Sequence, residues 1–468
     1  MEVLGIILSL FLLMFMAYRG FSVIFFAPVF ALLAAVLQGL PIMPSYTELF
    51  MGKAVGFIKS FFPVFMLGAV FGKVMEDTLL AKGLAHAIIT KLGPRHAMLS
   101  VVLTGGILTY GGVNVFIVIF AVYALAASVF KEANIPKRLL PGTCALGFFT
   151  FSMDAFPGTP QIQNIIPTTF YGTTTFAAPI AGLVGGTLIF ICGMLYFEWR
   201  RKKAAEKGEG YGDHTLNEPI ASAIDERTLP KWYIAVLPLL FVLVLNYIMS
   251  RVVTWDPGLL EQFTGMKLPL FAPSVKNVMG IWALIIAVTG GIILAVALGY
   301  KNLPKKDGLQ KAINVGAIGS LLAIMNTASE VGYGNVIAAL PGFKTIATAV
   351  MGIQFGGTPL VSEAIGVTTL AGITGSASGG MAIALSLMAK DWLAWANSIG
   401  LSPEILHRVA SMASGGMDTL PHNGAIITLL AVCGLTHRQS YWDIAAITVI
   451  KTSMVFVIIL LYTLTGLY

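Results

Sequence analysis

Two short stretches set an acid beside helix-breaking residues in a chain that is otherwise mostly apolar: "FSMDAFPGTP" at 151–160 and "GGMDTLPHNG" at 415–424. A charged aspartate at the centre of a membrane helix costs about 2.5–3.5 kcal/mol on insertion scales. Asp154 and Asp418 therefore suit a wet cavity better than a lipid face, although capping a loop at the membrane surface is the simpler alternative. The proline after each removes a backbone donor, and glycine allows a sharp turn. The freed carbonyls and amides must then bind water, an ion or a substrate, because lipid offers no partners. Carboxylates in such turns can bind or relay a coupling cation. Glu330, in "MNTASEVGYGNVIAAL" (325–340), is a third candidate for that role, while Glu363 is ambiguous and Glu76 and Asp77 read as interfacial.

The complementary chemistry lies in two glycine-rich breaks, "LTYGGVN" (108–114) and "ITGSASGG" (373–380), each leading into a long apolar helix. Backbone N–H groups at such a helix start carry partial positive charge and favour a carboxylate or phosphate. Thr109, Tyr110, Gly111, Gly112 and Asn114 of the first break are candidate substrate contacts, as are Gly375, Ser376, Ser378 and Gly379 of the second. From the aspartate turns, Gly158 and Thr159 join them, together with His422 and Asn423. His422 is singled out because histidine titrates near neutral pH. The other histidines read as loop residues, and no spacing among them fits a metal site. Arg138 and Arg408 fall near helix starts, so the reading gives the substrate carboxylate to helix amides instead of an arginine. No cofactor is expected beyond a coupling proton, with sodium as the alternative. Close helix packing is the duller explanation of the glycines, and the preferred one for "GLVGGTLIFICG" (182–193).

What must position these residues is a membrane-embedded helical fold. Of 468 residues, 57% are hydrophobic and 11% charged, with mean hydropathy +0.84. A soluble chain carries roughly a quarter charged residues. Apolar runs at 3–18, 21–39, 54–71, 177–197, 232–249, 278–300 and 443–467 are each long enough to cross the hydrocarbon as a helix. A β-barrel would show short alternating segments instead. No signal-peptide pattern precedes the first run. Cys144, Cys192 and Cys433 lie in apolar surroundings, which argues against a disulfide framework. The formal charge of +7 concentrates in connecting segments such as "EWRRKKAAEKGEG" (198–210), the positive-inside pattern, so the linker is expected to be cytoplasmic and nucleic acid is not an expected partner.

The breaks and turns recur in the same order. Each half reads glycine-rich break, long apolar helix, then "NIPKRL" (134–139) or "LSPEILHR" (401–408), then Met-Asp-x-x-Pro. A weaker echo links "KVMEDTLLAKGLAHAI" (73–88) with 325–340. The expected organisation is an N-terminal half at 1–197, a polar linker at 198–231 and a C-terminal half at 232–468. The fold class is all-α and polytopic, with two structural repeats, broken or re-entrant helices and roughly 10–14 membrane segments. Paired broken helices of this kind point to the midplane site of a secondary transporter.

These landmarks together resemble the gluconate permease (GntP) family of the ion transporter superfamily. The residues carrying the resemblance are "GAVFGKVMEDTLLAKGLAHAIITKLG" (68–93), "LTGGILTYGGVNVFIVI" (103–119), "DAFPGTP" (154–160), "ITGSASGGMAIAL" (373–385) and "MDTLPHNGA" (417–425). The resemblance implies a bacterial inner-membrane symporter for small hydroxycarboxylates, usually proton-coupled, with two inverted halves, re-entrant hairpins and a homodimeric assembly. Gluconate permeases carry Pro-Pro-His-Pro-Gly-Pro where this chain has "DAFPGTP", and Tyr-Glu-Val-Gly where it has Tyr110-Gly111-Gly112-Val113. In this the chain looks more like the 3-hydroxybutyrate permease branch. Gluconate-type sugar acids or citrate-type acids are the alternative substrates. Remoter alternatives are a passive channel and an intramembrane aspartyl protease, whose two aspartates would share a proton.

Overall fold

Backbone polar groups in hydrocarbon must be satisfied within their own segment, and here every long apolar run is a helix. A computed structural model describes residues 2–466 except 20, 219–227, 267, 354 and 422. Among the described residues there is no strand, and seven helices are long and apolar enough to cross a membrane. The first half comprises α1 (Glu2–Tyr18), α2 (Val23–Leu37), α3 (Ile42–Asp77), α4 (Leu80–Leu92), α5 (Ala97–Tyr110), α6 (Val115–Glu132), α7 (Leu140–Phe148), α8 (Ile162–Tyr171) and α9 (Pro179–Glu206). The second comprises α10 (Trp232–Val252), α11 (Met279–Asn302), α12 (Gly308–Ala338), α13 (Pro341–Met351), α14 (Leu360–Thr374), α15 (Ala377–Ser398), α16 (Pro403–Gly416), α17 (Gly424–Val432) and α18 (His437–Thr465).

The two lists match element by element, and so does their packing. Helix α2 packs on α12 as α11 packs on α3; α5 pairs with α6 and α7 as α14 pairs with α15 and α16. Equivalent helices meet at the centre and run antiparallel. Gly316 of α12 faces Val70 of α3, while Gly332 faces Phe50 at the other end. On the flank, Gly185 of α9 faces Ile458 of α18 and Arg200 reaches Asp443. Antiparallel equivalents are what an inverted repeat produces. The halves exchange helices across the middle, so neither is a separate body.

Helix α12 escapes the apolar runs read from the sequence. Ser320, Thr327, Ser329 and Glu330 dilute it, and all four are buried inside the bundle, away from lipid. Helix α9 continues through 198–206, into the polar segment read as a linker. Residues 209–218 then fold back as a strap. Tyr123 of α6 donates to the Asn217 carbonyl, Asn217 donates to Ala431 O at the end of α17, and Lys137 pairs with Glu218. Arg138 donates from Nε and Nη2 to both oxygens of Glu209, and from Nη1 to Asp443, which also accepts from Arg200 and Tyr196. The hydrogen-bonded Arg138 guanidinium holds the Glu209 carboxyl below its usual range. A depressed carboxyl stabilises the fold above its unfolded pKa and loses that contribution as pH falls.

Two predictions follow from these contacts. A Cβ at Gly316 would stand 2.6 Å from the Val70 backbone, whereas one at Gly319 meets nothing. Gly316→Ala should therefore lower the thermal midpoint through overpacking of about 1–3 kcal/mol, and Gly319→Ala should leave it unchanged or raise it. Protection of the 209–218 amides, measured against their intrinsic exchange rates, should fall on acidification in the parent protein. In Glu209→Gln that protection should be low already at neutral pH and change little with acid.

Candidate functional site

Both breaks are true helix interruptions. Gly112 adopts φ +97° between α5 and α6, and Gly375 adopts φ +64° between α14 and α15, conformations that glycine reaches without a Cβ clash. Asn114 caps α6 by accepting from Phe116 N at 3.0 Å, and Ser376 caps α15 by accepting from Gly379 N at 3.1 Å. Each break is held by the aspartate turn of its own half. In the first, Gln161 donates to the Thr109 and Val113 carbonyls at 2.7 and 3.2 Å, and the Tyr110 hydroxyl donates to Pro157 O at 2.7 Å. In the second, Asn423 donates to Gly375 O at 3.0 Å and to Asp418 Oδ1 at 2.8 Å, while its own oxygen caps α17. Backbone groups orphaned by the interruptions are thus taken up by amide side chains.

The second half gathers most of its candidates at one place. Asp418 accepts from the Ala377 amide at the start of α15, from Asn423, and from Gln163 of α8 at 3.5 Å. Glu330 of α12 lies against Ser376 and so close to Gly379 that any Cβ there would collide with it; its Oε2 is buried without a hydrogen-bond partner. Thr327, one turn before, faces Ser378 at 3.4 Å. Two carboxyls and three hydroxyls therefore surround one helix N-terminus, a setting that favours negative charge and leaves carboxylate oxygens for a cation.

The first break reaches the same helix. Asn114 and Asn326 line a crevice of about 520 Å³ between α3, α6 and α12, with Lys73 and Glu76 at its wall. Lys73 pairs with Glu76 at 3.1 Å and with Asp77 at 2.8 Å. A second crevice of about 420 Å³ lies toward the other end of α12, lined by Glu48, Lys53, Asn335 and Ser386 among others. Exchanging the repeats exchanges the two crevices: one uses the C-terminal end of α3 with α6, the other the C-terminal end of α12 with α15. Helix α12 separates them, with Asn326, Thr327 and Glu330 along the stretch between.

The remaining candidates are placed as follows. Thr109 and Thr159 are fully buried with unpartnered hydroxyls. Gly111 packs on Leu239, and the Gly158 amide donates to Thr175 O. His422 lies outside the described residues. Asp154 is fully buried and forms an ion pair with Lys451 of α18, which also donates to Phe149 O at 2.6 Å.

Several participants are not among the sequence candidates. Arg408 lies near the start of α16, as read, but is fully buried there, donating to Asp154 O, Thr175 O, Ala177 O and Asn164 Oδ1. His407 corrects the reading of the other histidines as loop residues. It is buried in α16 between Thr173 and Asn164, because one helical turn carries it inward beside Arg408. Glu363, ambiguous in the sequence, is buried and accepts from Tyr171. Lys451 was detectable in principle, since a lysine in the middle of an otherwise apolar span must find an acid or a carbonyl. Among the described residues no cluster of His, Cys, Asp or Glu could hold a metal ion.

Paired, interrupted helices in a multi-pass bundle define a membrane transporter. Comparison with known proteins gives the same class. No protein-family profile matches the chain. It is 50% identical over 477 aligned positions, 100% of both chains, to the uncharacterized transporter YxjC of Bacillus subtilis. It is 29% identical over 192 residues to the high-affinity gluconate transporter of Escherichia coli, 39% of this chain and 42% of the relative. The YdaH transporter of Alcanivorax borkumensis shares the fold, with TM-score 0.56 at 15% identity over 95% of this chain and 97% of that one. The chain therefore belongs to the family of the YxjC transporter, and a part of it is similar to a gluconate transporter.

Asn423 combines a helix cap with support for the break and for Asp418. Asn423→Ala should lower the thermal midpoint by the equivalent of about 1–2 kcal/mol. Asn423→Asp, which keeps the cap but not the amide donors, should recover only the capping share.

Proposed function

We propose that the protein is a secondary active transporter that couples uptake of a small hydroxycarboxylate, such as 3-hydroxybutyrate, to a cation by alternating access, with the proton as the favoured cation. The observation that carries this reading is that the first interruption, at Asn114, lines one crevice with Asn326 of α12, while the second packs on α12 at Thr327 and Glu330, with another crevice toward the far end of that helix. Helix-start amides of α6 and α15, with Asn114, Ser376 and Ser378, suit a carboxylate. Asp418 and Glu330 suit the cation. The name of the E. coli relative supports an organic acid and keeps gluconate-type acids as the second substrate class. Positive charge at 198–207 supports placing that end of α9 and the strap in the cytoplasm of a bacterial inner membrane. A homodimer is the assembly that the family resemblance implies.

Reconstituted protein should accumulate substrate when a pH gradient is imposed; uptake that ignores pH but requires sodium would reverse the choice of cation. Asp418→Asn and Glu330→Gln should each cut the accumulation ratio by about 5–150-fold, while the folded fraction is kept. A thermal-shift panel of 3-hydroxybutyrate, gluconate and citrate identifies the acid, since only a ligand bound by the folded form raises the midpoint.

A further inference from the structure

The two aspartate turns are equivalent in sequence but not in their electrostatic completion. Asp154 meets a cation supplied by the chain itself. Lys451 lies mid-way along α18, fully buried, ion-paired with Asp154 and donating to Phe149 O at 2.6 Å. That carbonyl is available because α7 ends at Phe148 and the backbone at Thr150 leaves the helical region (φ −123°, ψ −125°). The ammonium thus sits between a carboxylate and a carbonyl freed by a helix interruption, which is the ligand set a small monovalent cation takes at such a break. Gly415 closes the place from α16: a Cβ there would overlap both the Asp154 carboxylate and the Lys451 ammonium.

Among the described residues, Asp418 is given no such cation of its own. By the repeat, the helix equivalent to α18 is α9, which carries no basic residue before Arg200. Among the described residues, the hydrogen-bond donors to Asp418 are neutral amides: Asn423, Gln163 and Ala377 N. Lys451 is within electrostatic range of Asp418 but is committed to Asp154 and Phe149. Glu330 adds a second carboxyl beside the same α15 N-terminus, with an unpartnered oxygen.

We infer that Lys451 is a built-in counter-ion occupying the cation place of the first half, so that Asp154 takes no external cation and coupling runs through the Asp418–Glu330 place alone. Asp154 and Lys451 are then positioning residues that fix the first interruption. This rests on the coupled-transport reading above, but its test needs no substrate and can fail separately from it.

The test uses purified full-length protein, with the thermal midpoint measured in sodium, lithium and N-methyl-D-glucamine chlorides of equal ionic strength, and on acidification. Arg408 and Asp418 are the other charged groups facing Asp154, and both stay unchanged. Lys451→Gln vacates the place. Its midpoint should fall and then recover by about 2–4 °C more than the parent responds to sodium, lithium or protons. Adding Asp154→Asn should abolish that extra recovery. The double variant Asp154→Asn/Lys451→Gln, a neutral pair of similar size, should keep the parent's own cation response, which Asp418→Asn should lose. The inference is overturned if Lys451→Gln gains no response beyond the parent, if the gain survives Asp154→Asn, or if the double variant loses the parent's response. Should Lys451→Gln alone fail to fold, the double variant decides.

Discussion

The structure depends on one constraint: a helix interrupted inside a bilayer leaves amides and carbonyls that lipid cannot satisfy. The solution is to fold a second interruption of the same half against the first. Gln161 serves the carbonyls around the α5–α6 break, and Asn423 serves the carbonyl of the α14–α15 break. Side-chain amides suit this task because each offers donors and an acceptor without charge. What is left unserved after this pairing, notably the Glu330 oxygen beside the start of α15, is where the proposed ligands would bind.

Around those breaks, the antiparallel crossing of α3 and α12 makes a wall with a crevice at each end. Because equivalent helices build the two crevices, rearranging one half relative to the other can widen one while narrowing its counterpart. The exchange of α2 and α11 across the middle ties such a movement to both halves at once. The ends of α7, α9 and α18 are held differently, by Arg138, Arg200, Tyr196 and Ser440 gathered around Asp443 and the Arg138 carbonyl. That cluster marks a part of the bundle built to stay together.

Much of the scaffold was legible because local and global signals agree. Proline and glycine beside Asp154 and Asp418 mark interruptions whatever surrounds them, and Ser376 or Asn114 before an apolar run reads as a helix cap. The repeat was visible for the same reason. Helix α12 was not, since its inward-facing Ser, Thr and Glu resemble a polar connection until neighbours supply an interior. Arg408 and His407 follow "SPEIL", a helix start, and nothing in the residues says that this start lies deep inside the protein. The partner of Asp154 could not be read from spacing at all, because it is a contact between distant helices. Lysine in a membrane span was the available signal, and it lay within the apolar run read at 443–467.

The position of that contact along the chain has a consequence for biogenesis. Asp154 emerges from the ribosome early, whereas Lys451 belongs to the last helix. Until α16 brings Arg408 and α18 brings Lys451, the nascent protein carries an acid with no counter-charge in place. It must therefore be shielded by water, by a bound proton or by the insertion machinery until the C-terminal helix arrives. Closure of the first interruption thus waits for α18, and a protein lacking that helix should leave it unfinished.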